Sequence, residues 1–575
     1  MDALRTPVIL ALCAVAAAGC SGEPISPNPG GPPGQTVSCT QPAAVTLDVG
    51  GSGVFDPAAA GGCIQLPASA PGAEHLVIAL ATNGTETSAG VSTSYQLKSA
   101  TPAAATAAAE FPESSAPDLV RALSPMLSSF GAPKSNAGFH ALLRDRERLL
   151  SASPAVAAAF SLGATPVTAV PPVVGSTRTF KVCSSTNCNS FVDVAATAKY
   201  VGPKGAIYLD DTVPTGGYTQ ADIDSVGFLF DNHMYPIDTT AFGRESDLDA
   251  NGVVVVLLTD QVNKLSPSCN SSGSVILGYF FGSDLVPGAN GTNNGEVFYG
   301  LVPDPSNSAC TISRTFTSRV LAPTFIHEFQ HMISFNQHVR VRGGLSEDTW
   351  LNEGLSHFAE ELGARLIPDA LCYSTDCFTQ YAFGDVDNAY EYLRDPEESY
   401  LVEPSSSTGT LEERGANWLF VRWLVDHFSG ADSLGTGFTR ALVGTTRVGA
   451  ANVAATTGVA FSTLIPEWQM ANYLDDLPGF TPANTRLQYR SWNFRTTYES
   501  LNSQAPSSYP VPYPLTPDST RGNYVRRGTL RGGSGRHLRV IQAASSSAVT
   551  LQLTDSLGAA LTATTAPRIG VVRVR

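Results

Sequence analysis

The rhythm of apolar and polar positions changes several times along the 575-residue chain. Residues 37–110 carry short alternating or apolar runs (AVTLDVG, HLVIALAT, STSYQLKS) between Gly and Pro clusters, which predicts β-strands joined by turns. In DLVRALSPMLSSF and GFHALLRDRERLL the apolar residues instead recur three and four apart, as one helix face requires. An Ala/Pro/Val-rich stretch near residue 174 follows, so residues 111–175 read as a helical and Ala-Pro linker or as a propeptide. Residues 176–485 form a mixed α/β region, with strand-like TFKVCSS and AKYVGPKGAIYLDD and an aliphatic run at 253–258. Its helical patterns, at 316–365 and 409–430, carry histidines and carboxylates. Residues 486–575 return to turns, Tyr and Pro, with short strands HLRVIQA and AVTLQLT, which predicts a small C-terminal β-rich domain. The expected architecture is multidomain: an α+β domain flanked by small β-rich domains at the N- and C-termini.

Composition fits a folded, loop-rich chain: 43% of residues are hydrophobic, 15% are charged, and there are 52 Gly and 39 Pro. The net charge of −15 argues against a nucleic-acid partner, since phosphate binding needs a basic face. Residues 1–20 have the make-up of a signal peptide: Arg5, an apolar core from Val8 to Ala18, then small residues before Cys20. The run Ala17-Ala18-Gly19-Cys20 resembles the lipobox of bacterial lipoproteins, which implies lipidation of Cys20 and a lipid anchor at the outer membrane or cell surface. The alternative is a plain secretory signal, and both export the protein. Residues 21–36 are a Pro/Gly linker that would hold the first domain off a membrane.

Beyond Cys13 and Cys20, proximity groups the remaining cysteines as Cys39 with Cys63, Cys183 with Cys188, Cys269 with Cys310, and Cys372 with Cys377. In an oxidising compartment these read as disulfides; a thiolate metal site is disfavoured because no C-x-x-C occurs. Asp247, Asp249 and Asn251 followed by Gly252 match the start of an EF-hand calcium loop. Leu258 stands where the twelfth-position Glu belongs, which favours an ordinary Asp/Asn-Gly turn and leaves Ca2+ as the alternative.

The chemistry is concentrated in Pro323-Thr324-Phe325-Ile326-His327-Glu328-Phe329-Gln330-His331-Met332-Ile333. Residues four apart share a helix face, so His327 and His331 can present imidazole nitrogens to one zinc ion. Glu328, rotated by about 100°, stands beside the metal as a general base. This is the H-E-x-x-H zinc-peptidase pattern. A catalytic zinc takes three protein ligands and keeps one open position. The metzincin positions 334 and 337 hold Ser334 and Gln337, so the third ligand is sought elsewhere. Downstream, Trp350-Leu351-Asn352-Glu353-Gly354-Leu355-Ser356-His357-Phe358-Ala359-Glu360-Glu361 reads as a second helix, capped by Ser346 or Asp348, with Glu353, His357 and Glu360 on one face.

These two motifs resemble the gluzincins, and H-E-F-Q-H-M with W-L-N-E-G-L-S-H-F-A-E looks most like the hyicolysin family of secreted bacterial metallopeptidases. The resemblance is sharp over 323–362. It implies a zincin-like peptidase domain at 176–485, one catalytic Zn2+ on His327, His331 and Glu353, and protein or peptide substrates. Glu360 or a backbone carbonyl would support a ligand histidine, and His357 would contact substrate or solvent. Candidates for stabilising the tetrahedral intermediate are Arg414, Tyr392, Tyr400 and His357. By family analogy, residues 296–299 would form the sheet edge that pairs with an extended substrate. The expected function is exported zinc endopeptidase. The alternatives are a catalytically silent surface lipoprotein with the same fold and a zinc aminopeptidase; the absence of a Gly-x-Met-Glu-Asn stretch speaks against the latter.

Overall fold

A computed structural model describes residues 39, 41–101, 134–135, 137–161, 170–373, 376–405 and 409–575. The expectations for the signal peptide, Cys20, the 21–36 linker and the helical run at 118–130 lie outside these residues.

Strands from the two ends of the chain pair with each other. One sheet runs Ala43–Ala44, Cys63–Leu66, Val549–Thr554, Ser92–Ala100, Tyr524–Arg531. The other runs Asp518–Thr520, Gly535–Gln542, Ala73–Ala81, Pro567–Arg573, Ser52–Phe55. Strand Ala73–Ala81 (AEHLVIALA) is buried along its whole length, and its Val77 is flanked by Leu538 on one side and Val571 on the other. Val77, Leu97, Leu538, Leu551 and Val571 fill the common core. The terminal β-segments, expected as separate domains, are therefore one sandwich. A strand this apolar needs cover on both faces: Val77, Ala79 and Ala81 enter the sandwich core and Leu76, Ile78 and Leu80 the helical core, while the C-terminal segment supplies both neighbouring strands. The expected C-terminal β-domain also contains a helix, Phe494–Gln504, capped by Asn493, which accepts Thr496 N–H at 2.9 Å. Its Phe494 and Tyr498 belong to the helical core instead.

The middle of the chain builds a sheet in the order Gly278–Phe280, Val297–Gly300, Val254–Leu258, Gly205–Asp210, Phe191–Val201, Thr177–Cys183. Val254–Leu258 runs parallel to both neighbours and is buried at every position, as a strand covered on both faces should be. Residues 297–299 are not the edge. The antiparallel strand Gly278–Phe280 lies outside them and closes the sheet, too short to stand out by its periodicity.

α1 (Ala137–Ser151) and α2 (Arg314–Phe335) lie against this sheet at its Gly278–Phe280 edge, α3 (Thr349–Leu366) packs on α2, α5 (Leu411–Phe428) on α3, and α4 (Phe383–Arg394) on α5. Ser313 caps α2, accepting Phe316 N–H at 3.1 Å. Pro323 lies inside α2 and has no N–H for the Arg319 carbonyl, which accepts from Gln380 Nε2 at 3.0 Å instead. Asp348 sits at the start of α3 but makes no capping bond with its side chain; the first amide, Thr349 N–H, donates to Glu86 of the sandwich at 3.3 Å. Two glycines let α5 approach its neighbours. A Cβ on Gly354 would stand 2.8 Å from the Asn417 carbonyl oxygen, and one on Gly415 2.4 Å from that of Asn388. Four disulfides join the pairs that proximity grouped: Cys39–Cys63, Cys183–Cys188, Cys269–Cys310 and Cys372–Cys377. Among the described residues, no helix is long and apolar enough to cross a membrane.

Candidate metal centre

α2 is buried from Phe325 to Phe335, its packing supplied by Phe325, Ile326, Phe329, Met332 and Ile333. That burial fixes the helix rotation and turns His327 and His331 together towards α3. Their Nε2 atoms are 3.2 Å apart. Glu353 on α3 reaches both: one carboxylate oxygen is 3.5 Å from His327 Nε2 and the other 3.5 Å from His331 Nε2. A tetrahedron with metal–ligand bonds of about 2.0–2.1 Å has edges of about 3.3 Å, so these separations suit one zinc ion. Both Glu353 oxygens are buried without a hydrogen bond, as expected of a carboxylate reserved for a cation.

The electrostatics agree. Burial and the Arg144 guanidinium push His331 well below the ordinary histidine range, leaving it neutral as a metal ligand must be. Burial also opposes charge on His327, but the Glu353 and Glu360 carboxylates outweigh it and shift that group upward. Burial would raise Glu353; Arg414, with Nη1 3.2 Å from a Glu353 oxygen, and the two histidines hold it far below the usual carboxylate range.

Each histidine is steadied through its other nitrogen. Glu360 lies 2.7 Å from His327 Nδ1, and Ser356 Oγ lies 3.0 Å from His331 Nδ1. Such partners fix the tautomer and ring orientation of a ligand histidine. Ser356, one turn beyond Glu353 on the same helix, was missed in the sequence and could have been found by that spacing. His357 is brought to this cluster, 3.0 Å from Glu360 and 2.8 Å from Asp385 on α4. Burial opposes its charge, but those two carboxylates push it up to about 10.

Glu328 lies beside the two histidines; donor atoms of His327, Glu328 and His331 fall within 4.8 Å of one another. One Glu328 oxygen accepts Phe280 N–H at 2.9 Å, and the other is 3.1 Å from His140 Nδ1 on α1. Burial would raise its pKa, yet His140 first, then His331 and His327, hold it well below the carboxylate range. His140 and Asp385 have no local sequence signal, because each reaches the site from another element.

The other candidates are placed differently. Arg414 reaches the site. The Tyr392 hydroxyl instead accepts from Gln469 at 2.9 Å while its ring stacks on Trp468. The ring of Tyr400 packs near Gly90 of the sandwich. At the possible calcium loop, Asp249 accepts from Asn251 at 2.9 Å and lies 3.6 Å from Arg178, while Asp247 accepts Gly252 N–H at 3.2 Å.

Over 171 residues the chain is 29% identical to the neutral metalloprotease ShpI of Staphylococcus hyicus, a match covering 29% of this chain and 36% of that protein. The similarity is to a metalloprotease. It supports a metallopeptidase and hence a bound metal, over about a third of that relative's length. No family model matches the chain.

Proposed function

We propose that this protein is an exported, zinc-dependent endopeptidase of the gluzincin type, with His327, His331 and Glu353 holding the metal and Glu328 as general base. The carrying observation is the convergence of two imidazole nitrogens and one buried carboxylate, 3.2–3.5 Å apart, beside a second buried carboxylate. Bound there, zinc would supply Lewis-acid activation of water and of the scissile carbonyl. Glu328 takes the proton from the attacking water and returns it to the leaving amine, which needs its carboxylate ionised at neutral pH. Arg414, beside Glu353, compensates the charge of that ligand, and Arg414 and His357, both brought to the cluster, are the candidates for the developing oxyanion. An extended peptide would add to the sheet edge at Gly278–Phe280, bringing its carbonyl towards α2. Export, by lipid anchor at Cys20 or by a plain secretory signal, is supported by residues 1–20 and by four disulfides.

The test is zinc content and casein hydrolysis of wild type and Glu328→Gln. The variant is expected to keep one zinc per chain and lose activity at least about 1,000-fold. Equal activity would overturn the assigned base, and full zinc occupancy in Glu353→Ala would overturn the ligand set. An aminoacyl-arylamide assay run beside casein distinguishes internal cleavage from aminopeptidase action.

A further inference from the structure

Helix α1 belongs to the segment upstream of the peptidase region, yet it is seated on the metal centre. Its inner face presents Phe139, His140, Leu143, Arg144 and Glu147, none more than 3% exposed. Phe139 and Leu143 anchor it in an apolar cluster, with the Phe139 ring edge-on to Tyr279 at 5.2 Å. Between these anchors His140 places Nδ1 3.1 Å from a Glu328 oxygen, where the attacking water or the leaving amine must meet the base. One turn on, Arg144 Nη2 approaches the Phe280 carbonyl at 3.4 Å. Phe280 is the last residue of the edge strand, and its outward N–H is already held by Glu328. The helix therefore occupies both the base and the Phe280 carbonyl of the edge strand, two groups a substrate would meet.

The same face is poorly suited to permanent docking. Arg144 and Glu147 form a fully buried ion pair at 3.0 Å, yet Arg144 Nε and Nη1 and both Glu147 oxygens have no hydrogen-bond partner. Burying charge with incomplete compensation costs several kcal/mol, so an apolar face would hold the helix more tightly than this one does.

We infer that α1 is an autoinhibitory helix: docked, it excludes peptide from the catalytic groups, and the peptidase acts only once α1 is displaced. This inference rests on the peptidase reading above. The displacement breaks only non-covalent contacts, and Glu328 is released to accept a proton from water.

The test uses the zinc-loaded full-length chain and two variants. His140→Ala/Arg144→Ala removes both contacts to the site. Arg146→Ala leaves the site untouched but removes hydrogen bonds from α1 to the carbonyls of Asn187 and Cys188, at 2.6 and 2.7 Å. Two rates are read: hydrolysis of casein and removal of zinc by 1,10-phenanthroline. Both variants are expected to hydrolyse casein at least ten-fold faster than wild type and to lose zinc at least ten-fold faster. Wild-type rates of zinc loss in both variants, or hydrolysis no faster than in wild type while wild type is active, would overturn the inference. Faster zinc loss with no hydrolysis by any form would support shielding by α1 and overturn the peptidase reading instead.

Discussion

Glu360 holds His327 from behind: its carboxylate lies 2.7 Å from Nδ1, on the side of the ring away from His331 and Glu353. The bond fixes which nitrogen is free for a metal and keeps the ring from turning. Glu360→Ala should therefore weaken zinc binding or peptidase activity about 10–100-fold without removing a ligand. Metal-buffered zinc titration checks this, and an unchanged affinity with unchanged turnover would show that the contact is idle.

Arg422 and Glu361 make the densest polar knot in the helical core. The Glu361 carboxylate accepts from Trp492 at 2.8 Å, Trp418 at 3.1 Å, Arg422 at 3.2 Å and Arg365 at 2.7 Å, while Arg422 also reaches Asp426 at 2.9 Å. Arg422→Met should lower stability by about 3–5 kcal/mol, because it leaves buried carboxylates undercompensated. Urea unfolding measures it. A loss below about 1 kcal/mol would mean that the remaining donors suffice.

Acid should destabilise the fold through histidines far from the metal centre. Burial, with Arg573 assisting, pushes His75 down to about 4, and burial pushes His338 and His537 to about 4 as well. The unfolded chain binds these protons near pH 6.5, so stability is intact above that pH and falls as pH drops towards 4. Each group contributes up to about 1.4 kcal/mol per pH unit in that window. His537, whose Nε2–H donates to the Gln469 carbonyl at 2.9 Å, offers the check. His537→Gln should flatten the dependence of stability on pH between 6.5 and 4, and a parallel curve would contradict it.

The disulfides should differ in worth. Cys269–Cys310 spans 41 residues, whereas Cys183–Cys188 and Cys372–Cys377 each span 5. Loop-closure entropy gives about 4 kcal/mol for the long loop and about 2 kcal/mol for each short one. Denaturation of the paired Cys→Ser variants should reproduce that order.

What the sequence made legible was local. Helical spacing puts His327 and His331 on one face and Glu328 beside them, and three- and four-residue spacing puts Glu353, His357 and Glu360 on one face of the next helix. The distant partners carried no such mark. His140 reads as an ordinary residue of an amphipathic helix, and Asp385 as an ordinary residue of another, because docking between elements leaves no period in either. The same holds for strand pairing: Ala73–Ala81 was legible as a strand, but its neighbours depend on residues more than four hundred positions away. Gly278–Phe280, with three residues, has too little sequence to declare itself, so residues 297–299, expected at the sheet edge, lie one strand in.

The shared sandwich has a consequence for the order of events in the life of the chain. Val77 leaves the ribosome early and stays unpaired until Leu538 and Val571 arrive, so the first strands made are among the last to be secured, a slow, long-range closure. Once closed, the two chain ends are fastened to each other by backbone ladders. A single cut between Thr101 and Asp518 would then yield two polypeptides that still migrate as one particle, the leading fragment retained without any peptide bond to the rest.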